Sequence, residues 1–226
     1  MMRIHARRRF EVLSNTAPSA ATLEIRDAHV GDAFAVTQVL SAALAESPLG
    51  QWLDPDPQTR RASLLGHVGG LVVETITSGI VRLVEDSGKI VGATLWSIHS
   101  QPDRPASVTQ ATSSADDPAA VRVQRRRRLL EQLVHHRCPR RTQHHRLAYL
   151  GVRPDRQGQD VGSYLLIGHH ALLHVTGTPA CVLADGAPSR ELFEGHGYAG
   201  SGPPQTLPGG LRVWPMWRPP VPADPL

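Results

Sequence analysis

The chain has 226 residues, with 24 Lys and Arg against 20 Asp and Glu, a formal charge of +4, and 40% hydrophobic residues. A single domain with a buried core is expected at this length, which excludes a disulfide-held miniprotein and a wholly disordered chain. Four Trp, three Tyr and three Phe are too few for a stacking platform along single-stranded nucleic acid, although an isoelectric point near 9.7 leaves an acidic partner open.

Residues 1 to about 20 read as a flexible tail. Residues 22–26 alternate as a strand does, and Asp27 to Asp32 lead into a helix with apolar Val36, Val39, Leu40, Ala43 and Leu44. A Pro- and Gly-rich loop over 47–57, carrying Trp52, precedes a second helix. There Leu64, Leu65, Val68, Leu71, Val72, Thr75 and Ile76 recur at helical spacing until Gly79 closes it. Residues 80–85 and 90–98 form a predicted hairpin, because Asp86-Ser87-Gly88-Lys89 between them has turn chemistry. Residues 99–118 offer little to bury and are expected to be a mobile loop.

A helix is predicted over 119–136. Its run Arg125-Arg126-Arg127-Arg128 must spread around most of the circumference, which favours a solvated face over an anion site. A strand at 146–152, a helix at 160–175, a strand at 180–184, a short helix at 189–196, strands at 198–202 and 211–217, and a tail at 219–226 complete the order. Hairpin, helix, strand, helix, strand implies an α/β fold with a mixed sheet and one parallel pair across the second crossover.

Cys138 and Cys181 lie far apart without metal-ligand spacing and read as a loop thiol and a buried strand thiol, so no metal site or disulfide framework is expected. No apolar run approaches the ~18 residues of a membrane span, and the basic start is not followed by a signal-like stretch. A cytoplasmic protein with no membrane partner is the expectation.

One segment carries chemistry. From Leu150-Gly151-Val152 the chain passes through Arg153-Pro154-Asp155-Arg156 and Gln157-Gly158-Gln159-Asp160 into Val161-Gly162-Ser163-Tyr164, a strand, a glycine-bearing loop and a helix. Loop amides and the unpaired N–H groups of a first helical turn converge on one point there, a geometry suited to a diphosphate. Gly158 and Gly162 let the backbone approach it closely.

This stretch resembles motif A of the GCN5-related N-acetyltransferases, a strand followed by V-x-P and then Q/R-x-x-G-x-G/A. Glu191-Leu192-Phe193-Glu194-Gly195-His196-Gly197-Tyr198 looks like the family's motif B ending, and the elements on either side agree over residues 22–218. The resemblance implies a single domain over 21–218, its mostly antiparallel sheet holding a splayed parallel strand pair flanked by helices. It also implies acetyl-CoA as co-substrate and a small-molecule amine as acceptor, with a secondary metabolite one candidate. In that reading Leu150, Gly151 and Val152 offer backbone to the pantetheine, Gln157, Gly158, Gln159, Asp160, Val161, Gly162 and Ser163 hold the diphosphate, and Phe193 lies beside the cofactor. Nucleic acid is disfavoured, no metal is implied, and a homodimer stays open.

Three positions depart from the family. Asp160 stands where glycine is usual; it either repels a diphosphate, with Arg153 and Arg156 offsetting the charge, or caps the helix. Phe193 stands where a tyrosine usually protonates the leaving thiolate. Ser189 stands where many members place an asparagine. The candidate bases are Tyr149, His145, His144 and His99, with Tyr149, His145 and Ser189 the catalytic set. His169, His170 and His174 read as solvated or satisfied by backbone, and Trp52 and Trp96 as packing residues rather than pocket walls. The departures motivate an alternative on the same fold: a degenerate CoA site serving CoA-independent, non-acetylating chemistry or ligand binding.

Overall fold

A computed structural model describes residues 8–9, 23–99, 118–137 and 143–221. Strand β1 (Arg8–Arg9) pairs with β2 (Leu23–Asp27), so the segment read as a flexible tail contributes two residues to the sheet. Three helices follow: α1 (Ala33–Glu46), α2 (Pro48–Leu53) and α3 (Pro57–Ser78). Helix α2 occupies the stretch expected to be a loop. Ser47 starts it, its Oγ accepting from the Gly50 N–H at 3.0 Å, and Pro48 sits in the first turn where a missing N–H costs nothing. At the end of α3, Gly79 is not left-handed. Glycine is needed there because a Cβ would lie 2.3 Å from the Trp96 carbonyl oxygen.

The hairpin β3 (Ile80–Asp86) and β4 (Lys89–His99) turns at Ser87 and Gly88, both at positive φ, as a tight two-residue connection requires. The mobile loop expected over 99–118 falls almost wholly outside the described residues. Helix α4 (Pro118–Arg137), β5 (His144–Val152), α5 (Val161–Thr176), β6 (Ala180–Ala184), α6 (Ala187–Gly195), β7 (Ala199–Gly200), β8 (Gln205–Thr206) and β9 (Arg212–Arg218) follow. The sheet order is β1-β2-β3-β4-β5-β6-β9-β7, with β8 against β9, and β5–β6 is the parallel pair.

Helices α1 and α3 cover one face, where Val36, Leu40, Leu64 and Val68 pack on Leu83 and Leu95. Helix α5 covers the other through Leu165, Leu166 and Leu173, against Val84, Trp96 and Leu147. Each such side chain contributes about 1.5–3 kcal/mol on burial, which sets both helices firmly on the sheet.

Three sequence readings change. His169 and His170 are neither solvated nor backbone-satisfied; both are buried and bonded to side chains, His169 Nε2 to His145 Nδ1 at 3.0 Å and His170 Nε2 to Tyr198 Oη at 3.1 Å. The arginine run divides. Arg126 donates to the Trp52 carbonyl and lies over its ring, Arg127 pairs with Glu131 at 2.7 Å, and Arg125 and Arg128 are exposed. Cys181 is buried in β6 and disulfide-bonded rather than a thiol, while Cys138 lies outside the described residues. No helix among the described residues is long and apolar enough to cross a membrane.

Candidate active site

Strand β5 carries a defect in its alternation. Against β4, Leu95 stands opposite Tyr149 and Trp96 opposite Leu147, so Ala148 is an inserted residue, a β-bulge. Without it, His145, Leu147, Tyr149 and Gly151 would share one face by the period of two. With it, His145 and Leu147 face α5, whereas Tyr149 and Gly151 face α1 and α3. Bulges bend a strand and re-aim its side chains, and both effects occur here.

The bend parts the parallel pair. Residues 145–147 of β5 pair with 180–182 of β6, and beyond Leu147 and Val182 the two strands no longer pair with each other, β5 staying on β4 and β6 on β9. A narrow cavity of about 70 Å³ lies in that opening, between Ala148 and Tyr149 on one side and Leu183 and Asp185 on the other. His67 and Leu71 of α3 and Arg127 and Glu131 of α4 also line it.

Within the cavity, His67 Nε2 and Tyr149 Oη are 2.9 Å apart with their rings edge to face. Burial, with the Arg127 charge adding to it, pushes the His67 imidazole down to about 3, and burial pushes the Tyr149 phenol up to about 12. Imidazole and phenol are therefore both neutral near pH 7, one able to accept a proton and the other still holding its own.

At the far end of β5 the loop into α5 braces itself. Gln157 Nε2 donates to the Val152 carbonyl at 3.1 Å, Gln159 Nε2 donates to the Asp155 carbonyl at 3.4 Å, and Arg153 forks onto Asp155 at 3.0 and 2.8 Å. Arg156 pairs with Asp86. Both arginines expected to offset Asp160 thus have carboxylate partners. Gly158 and Asp160 are left-handed, with φ of 72° and 58°. The capping role considered for Asp160 does not occur: its side chain makes no cap hydrogen bond and is exposed. Left-handed backbone explains why glycine suits this position and why aspartate, among the better-tolerated residues there, is an allowed replacement. Among the described residues no turn, loop or cap hydrogen bond engages the N–H groups of Val161, Gly162 or Ser163, the unsatisfied donors of a first helical turn.

The structure brings only some of the expected residues together. Tyr149 lines the cavity. His145 lies on the opposite face of the sheet, bonded to His169, and burial lowers its pKa. His144 is buried with its ring stacked on His99 at 5.0 Å, and neither lines the cavity. Leu150 and Val152 turn their side chains into the core under α5, which leaves main chain for any ligand, and Gly151 accommodates α1, since a Cβ would lie 2.9 Å from Leu40 Cδ2. Ser189 Oγ accepts from the Asp185 and Gly186 N–H groups and donates to Asp185 Oδ1 at 2.9 Å. It holds Asp185 at the cavity rim rather than facing the cavity itself.

Phe193 is buried edge to face with Tyr198, centroids 5.6 Å apart, and does not line the cavity. Replacing it with tyrosine is expected to place a hydroxyl in apolar surroundings, costing about 1–3 kcal/mol in urea unfolding. No gain in any turnover is expected; a gain would show that the ring reaches the cavity. Trp52 and Trp96 are packing residues, Trp52 Nε1 donating to the Pro208 carbonyl at 2.6 Å and Trp96 stacking on His169 at 3.8 Å. His67, Glu131 and Asp185 went unnoticed in sequence, and Arg127 was read only as part of a solvated arginine run. Their one shared property is a place in three-dimensional space.

No family model and no curated protein matches the chain. Solved structures do. A Corynebacterium glutamicum structure described as a histone acetyltransferase HPA2 and related acetyltransferase is 22% identical over 88% of this chain and 97% of that chain, with a TM-score of 0.61. An Aedes aegypti arylalkylamine N-acetyltransferase 2 is 13% identical over 88% and 99%, with a TM-score of 0.63. A Thermoplasma acidophilum PaiA N-acetyltransferase in complex with coenzyme A is 9% identical over 88% and 99%, with a TM-score of 0.55. The likeness shows the fold: this chain has that of the GCN5-related N-acetyltransferases.

Proposed function

On this fold, we propose that the protein is an acyl-CoA-dependent N-acyltransferase whose acceptor is the amine of a small molecule. The observation that carries the reading is the parting of β5 from β6, with a cavity at its bulged end and unpaired helix-start amides beyond its other end. A pantetheine arm has amides that suit the exposed strand edge, and a diphosphate suits the N–H groups of Val161, Gly162 and Ser163 at the positive end of α5. When bound, acyl-CoA supplies an activated thioester carbonyl. This chain's part is to hold that carbonyl beside Ala148 and Tyr149, exclude water with Leu71 and Leu183, and orient an amine between α3 and α4. Catalysis of this kind is mainly positioning and proton management.

Calorimetric titration with acetyl-CoA and with free CoA tests the reading. Micromolar binding of both is expected, and no heat at millimolar ligand sinks it. Asp160→Gly is expected to tighten acetyl-CoA binding about threefold to tenfold by removing a screened negative charge, and to relieve about 1 kcal/mol of backbone strain. Unchanged affinity in that titration would mean that the diphosphate lies elsewhere.

A second reading, ligand binding on the same fold without acyl transfer, draws on the burial of Phe193 away from the cavity, which leaves no acid at that position. Release of free thiol from acetyl-CoA in the presence of an amine such as 2-phenylethylamine separates the two.

A further inference from the structure

We infer that Tyr149 and His67 form a single proton relay serving both ends of the transfer, taking the proton from the acceptor amine and delivering it to the departing sulfur. This rests on the acyltransferase reading above. The geometry points to it on three counts. The two side chains bond at 2.9 Å from elements 82 residues apart, both line the cavity, and the bulge at Ala148 is what turns Tyr149 toward α3 rather than α5. Without the bulge the phenol would lie with His145 beneath α5, remote from the opening.

The step balances as follows. The amine nitrogen attacks the thioester carbonyl carbon, and as the C–N bond forms its proton passes to Tyr149 Oη while the Tyr149 proton passes to His67 Nε2. The C–S bond then breaks, and the imidazolium returns a proton through the phenol to the thiolate, giving an amide and a free thiol. One proton leaves nitrogen and arrives on sulfur, and both side chains end as they began. This route also accounts for the buried Phe193: with the acid supplied from β5, a hydroxyl on α6 is not required.

The charges around His67 suit a transient role. Arg127 and Glu131 of α4 pair with each other at 2.7 Å, Arg146 reaches the cavity from β5 and Asp185 from the β6–α6 turn. Burial, with the Arg127 charge adding to it, keeps the imidazole neutral at rest, so its Nε2 is free to accept a proton from the phenol.

The experiment uses the full chain with acetyl-CoA and 2-phenylethylamine or agmatine, and the variants Tyr149→Phe, His67→Gln and His67→Ala. Glutamine can still bond the phenol but cannot take a proton. Each variant is expected to lose about a hundredfold or more in kcat, within the range for general acid–base catalysis, with acetyl-CoA affinity by calorimetry unchanged. Exogenous imidazole is expected to restore part of the activity of His67→Ala and none of that of Tyr149→Phe. Wild-type kcat is expected to show no limb near pH 6.5. Loss of kcat below threefold in His67→Gln, or an acid limb near pH 6.5 that disappears in Tyr149→Phe and persists in His67→Gln, overturns the relay while acetyl-CoA binding and transfer still stand. Absence of acetyl-CoA binding in the wild type overturns the acyltransferase reading, and the relay with it. Should a variant unfold, the nitrogen-15 signals of His67 in the wild type decide: an Nε2 hydrogen-bonded to Tyr149 supports the relay, and an Nε2 with no bond to the phenol overturns it.

Discussion

Unfolding free energy is expected to fall by about 4 kcal/mol as the pH is lowered from 7 to about 5, from His169 and His170 alone. Burial is the leading cause for both: it pushes His169 down to about 2, with Arg82 next, and His170 down to about 3, with Arg218 next, from an ordinary value of 6.5. The unfolded chain therefore binds more protons than the folded one at every pH from about 6.5 down to about 3. Stability is at its full value above that window, declines through it, and each histidine contributes about 2 kcal/mol of loss at pH 5. Against a typical stability of about 5–15 kcal/mol this is a large fraction.

Below about pH 4 a second loss joins it, as carboxylates held ionised in the fold take up protons. Asp32, bonded by Arg26, and Asp54, held low by Ser63 and Thr59 against the effect of burial, are the groups concerned. Urea unfolding at pH 7, 6 and 5 measures the first loss. His169→Phe, which keeps a flat ring against Trp96, is expected to remove about 2 kcal/mol of the pH dependence. Equal unfolding midpoints at pH 7 and pH 5 in the wild type would show that these histidines are hydrated or mobile in the folded protein.

Gly50→Ala is expected to destabilise the protein by about 3 kcal/mol, although alanine is about 1 kcal/mol the better helix former. The steric effect wins because the added Cβ would lie 1.7 Å from the Leu44 carbonyl oxygen and 2.6 Å from its carbon, backbone atoms of α1 that cannot turn aside. Helix α2 has to move off α1, and with it the neighbouring Leu49, which lines the cavity and donates its N–H to Asp185 at 3.1 Å. Loss of stability and distortion of the acceptor side are thus expected together. Gly66→Ala on α3 is the control: nothing lies within 4 Å of its added Cβ, so a gain of about 1 kcal/mol is expected. A neutral Gly50→Ala in the same urea titration would mean that α2 does not pack on α1 as described.

The sequence by itself determined much of this architecture. Apolar spacing from Val36 to Leu44 and from Leu64 to Ile76 marked the helices, alternation marked the strands, and Ser87-Gly88 marked the hairpin turn, because these signals lie within a few residues of one another along the chain. The loop from Arg153 to Asp160 was legible for the same reason, down to an unusual residue at a glycine position. Helix α2 and the short β8 were missed, since a six-residue helix begun by Ser47 and Pro48 and a two-residue strand have too little periodicity to register.

The candidate site was decided by tertiary structure. One inserted residue, Ala148, leaves no mark in an alternation of apolar and polar letters, yet it sends Tyr149 and His145 to opposite faces of the sheet and opens β5 from β6. His67 drew no reading until packing set it against Tyr149, and Asp160 stood between repelling a diphosphate and capping the helix until its side chain proved to make no cap bond on a left-handed backbone. Local propensity is written in neighbouring residues, whereas a catalytic constellation depends on strand register and helix docking, which only the assembled core specifies.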